Sequence, residues 1–473
     1  MNARFWILWA ALLSACTSGS STFGNGGGNG TGGGNGVGGG SGTGGGSGTG
    51  GGSGTGGGAA AKTATYPDLA QGSNGRYPQL LIDAAGVSHY LYELIGLEGA
   101  TGKVPIRYGE CASNCGVQSS WKFVSLGDLG LFGSDAKLAL SPQGKPRLVW
   151  SQGIISGDPH PLFFASCDAN CTQAASWTSA AFRTLAAGET VDARVGRNLA
   201  VDGAGRVHFV YFTYTAMHYS SCASNCTTPA SWSDVTLGNF PAVASLAVTS
   251  AGQVRVAYAT SGAGNAFLAY RTCEANCDLL ASWSPESLLF NSSGGPVSLR
   301  LDAQGHPRLL WNQSNAGQPT GDYQVFYAWC DSGCDAFASW SSLTPSGLKP
   351  RDGIEGLDFD LHSSGAVGAA FRGADTNLSL LTCISNCQSL TAVWTLTKVE
   401  TSDSLAAEVK PDGTCPGGSS PVSAFWYPGE QVQAAFNPAT GDLELGHRAY
   451  TLLSCGFPSK IVEGVSIPRF SSF

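Results

Sequence analysis

The chain has 473 residues, a formal net charge of -8 and only 12% charged residues, so it lacks the basic footprint of a nucleic-acid binder and no such partner is expected. Its 67 glycines and 15 cysteines point instead to an exported protein that joins a glycine-rich segment to a disulfide framework. Roughly 400 residues remain after that segment, too many for one simple core and suited to a ring of small sheets.

Residues 1–15 read as a signal peptide: Arg4 supplies the positive charge, and the apolar run from Phe5 to Leu13 is too short to span a bilayer. The run ends in Leu13-Ser14-Ala15-Cys16, which resembles the lipobox of bacterial lipoproteins. That resemblance implies cleavage before Cys16, a lipid-modified amino-terminal residue and the membrane as a partner. Thr17 rather than Asp follows the cysteine, which in that family implies sorting to the outer membrane, facing the periplasm or the cell surface.

Residues 16–61 form the next segment, of which 19–58 are almost entirely Gly with Ser, Thr and Asn. Such a stretch buries no apolar surface and behaves as a flexible tether, with an end-to-end distance of about 35 Å for about 40 residues. Matches to nucleotide-binding glycine patterns inside it have no strand before and no helix after, so no cofactor is expected.

The remainder, residues 62–473, is organised on a unit that returns six times: Cys111/Cys115/Trp121, Cys167/Cys171/Trp177, Cys222/Cys226/Trp232, Cys273/Cys277/Trp283, Cys330/Cys334/Trp340 and Cys383/Cys387/Trp394. Successive first cysteines stand 51 to 57 residues apart, a period of propellers and solenoids. With Cys16 assigned to lipid, twelve cysteines pair at i and i+4, and Cys415 and Cys455 are left for each other. If each i, i+4 pair closes a hairpin with a three-residue loop, the two cysteines face one another with their Cα atoms near the disulfide optimum. Zinc would need two pairs to converge on one tetrahedron, which one pair per unit prevents; no metal is expected.

Each unit opens with an apolar strand and a turn, as in Leu80 to Gly86, Leu199 to Gly205 and Leu299 to Gly305, where Asp begins and Gly ends a tight reversal. A second strand, a variable loop, a third strand into the cysteine hairpin and a fourth strand near the Trp complete a propeller blade. A decayed seventh unit is expected at Ala424 to Gly429 (strand and turn), Gln431 to Phe436 (second strand) and Leu443 to Cys455 (third), with Ser459 at the second cysteine position. The expected fold is an all-β propeller of seven four-stranded blades with a degenerate seventh. Six blades plus a carboxy-terminal extension is the alternative.

The element Asp202-Gly203-Ala204-Gly205-Arg206-Val207-His208-Phe209-Val210-Tyr211 resembles the repeats of sialidase-like, BNR-type bacterial propellers. The likeness implies fold. The complete Ser-x-Asp-x-Gly-x-Thr-Trp box is absent, and no catalytic residue of that family is carried over.

Two series recur. Three residues beyond the turn glycine stand His89, Arg147, His208, Arg255 and Arg308, then Gly368; the charged ones are expected to pair with turn carboxylates. Six beyond it stand Tyr92, Trp150, Tyr211, Tyr258, Trp311 and Phe371, expected as packing between sheets. Repetition argues for structure, so binding is sought in the second-to-third-strand loops and inter-blade connections, with Glu93, Asp158, His160, Asp322, Tyr323 and Arg351 as candidates. The leading expectation is a lipid-anchored surface protein holding a glycan, peptide or protein partner. A glycoside hydrolase or lyase of sialidase-like architecture, using a loop carboxylate pair, and a structural envelope protein are the other two.

Overall fold

In this computed structural model the described residues are 67, 75–94, 105–126, 134–151, 161–185, 197–213, 215–239, 243–262, 265–292, 296–314, 323–345, 356–373, 375–409, 415, 421, 423–455 and 461–473. They build a seven-bladed β-propeller: six four-stranded antiparallel sheets at 75–125, 134–184, 199–239, 243–292, 297–343 and 357–400, and a three-stranded sheet at 423–472. In every blade the strands are hydrogen-bonded in chain order. The first-to-second turns and the cysteine hairpins therefore share one face, called here the turn face. The second-to-third loops and the inter-blade connections share the other, the loop face.

The turns form as their composition dictates. Asp83, Asp202 and Asp302 each accept two backbone N–H groups through Oδ1, as from Ala85 and Val87 at 2.9 Å. The closing glycines of all seven turns take φ between +72° and +87°, where a Cβ is strongly disfavoured.

Seven disulfides are formed among the described residues. Six lie in the hairpins: Cys111–Cys115, Cys167–Cys171, Cys222–Cys226, Cys273–Cys277, Cys330–Cys334 and Cys383–Cys387, with Cα atoms 5.6–5.7 Å apart. The seventh, Cys415–Cys455, ties the segment before blade 7 to the end of its second strand. The pairing is the expected one, but the hairpin geometry is corrected. In blades 1 to 4 and 6 the first cysteine ends the third strand. Cys115, Cys171, Cys226, Cys277, Cys334 and Cys387 all stand in a turn, outside any strand. The residue facing the first cysteine across the ladder is the tryptophan, as in Cys167 opposite Trp177, Cys222 opposite Trp232 and Cys273 opposite Trp283. Each hairpin disulfide therefore pins a loop of nine residues (ten in blade 6) back onto the strand that enters it, instead of linking two facing strands.

The reason is local backbone conformation. The residue before each second cysteine is left-handed: Asn114, Asn170, Asn225, Asn276 and Asn386, with Gly333 in blade 5. Asn and Gly are the residues that tolerate this region best, and the bend they make turns the second cysteine back toward the first. A short 3-10 turn then delivers the tryptophan in blades 1 to 5. There its indole N–H donates to the carbonyl of the second cysteine, Cys115, Cys171, Cys226, Cys277 or Cys334, at 2.8–2.9 Å. In blade 6 one additional residue separates Cys387 from Trp394, and the Trp394 indole N–H is buried without an acceptor among the described residues.

These tryptophans join the blades. Each packs edge-on against an aromatic of the preceding blade: Trp177 on Tyr108, Trp232 on Phe164, Trp283 on Tyr219, Trp340 on Tyr270, Trp394 on Tyr327 and, across the ring closure, Trp121 on Phe470, with centroids 5.0–5.7 Å apart. The first five acceptors stand three residues before the hairpin cysteine of their own blade. The second-strand aromatics Tyr92, Trp150, Tyr211, Tyr258, Trp311 and Phe371 are all at most 2% exposed, as expected of packing between sheets.

Blade 7 departs from the reading of its sequence. Residues 423–436 make one continuous strand, not two, with irregular register between Tyr427 and Gln433. Pro428 and Gly429 disturb the strand without reversing it, and the chain reverses at 437–442 instead. Leu443–Ser454 is therefore the second strand and Ile461–Ser472 the third. Ser459 lies outside the described residues, and Phe473 occupies the register of a first hairpin cysteine.

Candidate functional site

The axis of the ring is lined by a series that the sequence reading passed over. Four residues before each turn stand Gln79, Lys137, Asn198, Ser245, Ser298, Asp358 and Gln433, polar in all seven blades and all buried. The innermost strand of a blade has an unpaired edge whose N–H groups need partners, and two of these side chains supply them. Ser245 Oγ accepts from Leu299 N at 3.0 Å, and Asp358 Oδ2 accepts from Ala434 N at 3.0 Å, each acceptor serving the next blade.

Asp358 is the hub of this ring. Arg300 donates to its Oδ1 at 2.6 Å and Arg197 to its Oδ2 at 3.2 Å. Arg197 belongs to the connection entering blade 3 and also reaches the Ala434 carbonyl of blade 7 at 2.5 Å, so its side chain crosses the axis. Burial pushes the Asp358 carboxyl up, but Arg300 and Arg197 outweigh it and hold the group below its ordinary value. A carboxylate kept ionised by two guanidiniums is a brace, not a general acid. Glu400 is held in the same sense: burial raises it, while His447 at 2.9 Å and Arg469 lower it further.

The charged series on the turn face is likewise consumed. His208 and Arg308 lie 3.3 and 2.6 Å from the turn carboxylates Asp202 and Asp302, and His89 lies 3.6 Å from Asp83. Where the turn begins with Ser141 or Thr249, Arg147 and Arg255 pair with Asp168 and Glu274, the residues after the first hairpin cysteine. Asp302, His306 and Asp331 present ligand atoms within 4.8 Å of one another. Arg308 donates to both carboxylates, at 2.6 and 2.8 Å, so a guanidinium already fills the place of a cation.

Of the loop candidates, Glu93 is corrected by the structure. It sits inside the second strand of blade 1, 1% exposed, and accepts from Ala136 N at 2.9 Å; it stitches blade 1 to blade 2. Tyr323 opens the third strand of blade 5 opposite Ser314, its side chain outside the described set. Asp158, His160, Asp322 and Arg351, like Cys16, lie outside the described residues.

A cavity of about 440 Å³ lies at the seam between the outer strand of blade 4 and blade 5. Its walls are Phe267, Leu288, Phe290, Phe326 and Phe337, with Trp311 between Phe290 and Phe326 at centroid distances of 4.8 and 5.3 Å. Gln313 and Ser342 are its polar groups besides the indole. Phe337 is 56% exposed, whereas Trp311 is 2% exposed and its Nε1 has no acceptor among the described residues. The size falls in the range of small-ligand sites. A buried N–H without a partner costs about 1–3 kcal/mol, and this one is closed off between the Phe290 and Phe326 rings.

No family model matches this chain, and no curated protein matches it. Among solved structures it is similar to the NanB sialidase from Streptococcus pneumoniae (TM-score 0.40, 12% identity, over 86% of this chain and 69% of that one). It is also similar to the BP39L lectin from Burkholderia pseudomallei (0.47, 11%, 84% and 99%) and to an α-L-arabinanase from Penicillium chrysogenum (0.42, 12%, 87% and 98%).

Proposed function

We propose that this protein is a lipid-anchored propeller of the bacterial surface that binds a neutral glycan, and that the cavity beside Trp311 is part of its binding surface. The observation that carries the reading is the chemistry of that lining. Exposed aromatic rings with an amide, Gln313, and a hydroxyl, Ser342, beside them suit a sugar ring, which has an apolar face and hydrogen-bonding hydroxyls. The lining contains no carboxylate, histidine or thiol among the described residues, so these walls offer a ligand contacts but no acid, base or activated nucleophile. The anchor rests on Leu13 to Cys16 and the tether behind it; Cys16→Ser should abolish lipid labelling and membrane association while leaving the propeller folded.

The test uses the Cys16→Ser protein on a glycan array, followed by titration of the hits through tryptophan fluorescence. Gln313→Ala and Phe337→Ala should each weaken binding by about tenfold, the loss of one good polar or packing contact, with unchanged melting. An array without hits, or hits indifferent to both substitutions, overturns the assignment of this cavity.

A further inference from the structure

On the turn face, neighbouring blades meet through their turns. The closing glycine of one turn approaches the residue that begins the turn of the preceding blade. A Cβ on Gly144 would stand 2.6 Å from Asp83, on Gly252 3.0 Å from Asp202, on Gly305 3.2 Å from Thr249 and on Gly441 3.7 Å from His362. Across the ring closure, one on Gly86 would stand 2.8 Å from Asn437. Gly205 and Gly365 are the exceptions: a Cβ at either would meet nothing within 4 Å among the described residues.

Beside Gly365 the gap is a cavity of about 200 Å³ between the turns of blades 5 and 6. Gln304, Ser363 and Gln388 are its exposed lining, and Arg308 and Tyr327 its buried lining. Tyr327 is the third-strand aromatic of blade 5. Its ring packs against Trp329, Phe359 and Trp394, with centroids 5.6–6.2 Å apart, and its hydroxyl makes no hydrogen bond among the described residues. The equivalent hydroxyls of Tyr108 and Tyr219 lie 2.6 Å from His89 and His208. That of Tyr270 has no partner either, but it belongs to the gap that Gly305 closes. Phe164, which precedes the open gap at Gly205, has no hydroxyl to offer. Among the described residues, an open gap and an unbonded hydroxyl coincide between blades 5 and 6 alone.

The lining selects the chemistry of an occupant. Asp302 and Arg308, its two oppositely charged groups, are joined at 2.6 Å, and Arg308 also donates to Asp331 at 2.8 Å, so the pair holds no charge in reserve for an ion. Burial pushes the Tyr327 phenol up, which keeps its proton available for donation. The phenol, the amides of Gln304 and Gln388 and the Ser363 hydroxyl both donate and accept hydrogen bonds, as sugar hydroxyls do. A cavity below the roughly 300–1,000 Å³ of drug-sized ligands admits one ring-sized unit.

We propose that the turn face carries a second binding site, between blades 5 and 6, which takes one neutral monosaccharide unit and bonds one of its hydroxyls to Tyr327 Oη. The site shares no lining residue with the cavity beside Trp311 and does not rest on the reading of that cavity.

Saturation-transfer NMR of the Cys16→Ser protein with a panel of neutral methyl pyranosides tests the site. At least one should bind, and Tyr327→Phe should weaken it by about tenfold, the loss of one good hydrogen bond. Melting temperature separates a hydroxyl kept for ligand from one that holds the fold. Tyr327→Phe should melt like the parent, whereas Tyr219→Phe, which takes the partner from His208, should melt lower. Gln304→Ala touches no buried group and should weaken binding by about threefold. Phe337→Ala, at the other cavity, should leave it as it is. A panel without a binder overturns the proposal, as does binding indifferent to both Tyr327→Phe and Gln304→Ala, or a Tyr327→Phe protein that melts as low as Tyr219→Phe. Binding lost in Phe337→Ala and kept in Tyr327→Phe assigns the sugar to the cavity beside Trp311 and also overturns it.

Discussion

Blades 3 and 5 place opposite chemistry on the same four positions. In blade 3 these are Tyr211, His218, Ser220 and Asp234. Tyr211 and Ser220 donate to Asp234 Oδ1 at 2.8 and 2.6 Å, His218 stacks on Tyr211 and lies 3.2 Å from Asp234 Oδ2, and Arg183 of blade 2 closes the set at 2.7 Å. In blade 5 the same positions hold Trp311, Phe326, Ala328 and Ser342, and a neutral cavity lies beside them. One framework thus yields a seam whose polar groups satisfy each other and a seam lined by aromatic rings that leaves a cavity, and nothing in the strands themselves has to change.

The comparison breaks most visibly at the aromatic itself. Trp311→Ala should cost about 3–5 kcal/mol, as large truncations in cores do, measured by denaturant melts. A variant that melts like the parent would mean that Trp311 serves the ligand alone.

Acid separates the same two blades on the turn face. Burial, partly opposed by Asp202, lowers His208 to about 4, whereas blade 5 has an arginine, Arg308, at the same position. The unfolded chain takes up the His208 proton near pH 6.5 and the folded chain only near 4. His208 therefore contributes stability that is complete above 6.5 and is lost as pH falls through this window, by about 3 kcal/mol. Melts from pH 7 to pH 4 should show this loss, and His208→Gln should remove that share of it. An identical pH profile in the variant would refute the assignment.

Smaller effects sharpen the contrast. Asp234→Asn strips charge from a half-shielded cluster and should cost about 1 kcal/mol, with ligand binding unchanged. Phe337→Ala, on an exposed ring, should stay within about 0.5 kcal/mol in stability while weakening ligand, the reverse pattern.

The period of the cysteines, the Asp-to-Gly turns and the buried aromatic series were legible because each repeats, and repetition exposes a backbone requirement. The cysteine pairing was legible on the same ground, yet the shape of its loop was not. Spacing alone places Cys115 opposite Cys111, and only the left-handed Asn114 reveals that the chain bends back before the ladder resumes at the tryptophan. The polar series from Gln79 to Gln433 repeats as faithfully. It is missed because its residue types differ, and what they share is burial of a polar group on the innermost strand, which at Ser245 and Asp358 serves the strand edge of the next blade. Glu93 is misplaced for a related reason: the end of a strand and the start of a loop look alike when the donor it serves, Ala136 N, is 43 residues away. In blade 7, Pro428-Gly429 imitates a turn, and only the pairing with 443–454 reveals that the strand runs through it. The cavity beside Trp311 was illegible because it consists of what three neighbouring positions lack.

The edge-on tryptophans have a consequence for how such a chain arises. Each of blades 2 to 5 carries a wedge, its hairpin Trp, that fits the blade before it, and a slot, the aromatic three residues ahead of its cysteine, that fits the wedge of the blade after it. A tandem copy of such a unit arrives already matched at both ends, so copying error in the gene adds a fitted blade without any new interface having to be invented. Divergence is then free to proceed elsewhere, and in this ring it has gone furthest in blade 7, which among the described residues carries a slot, Phe470, and no wedge.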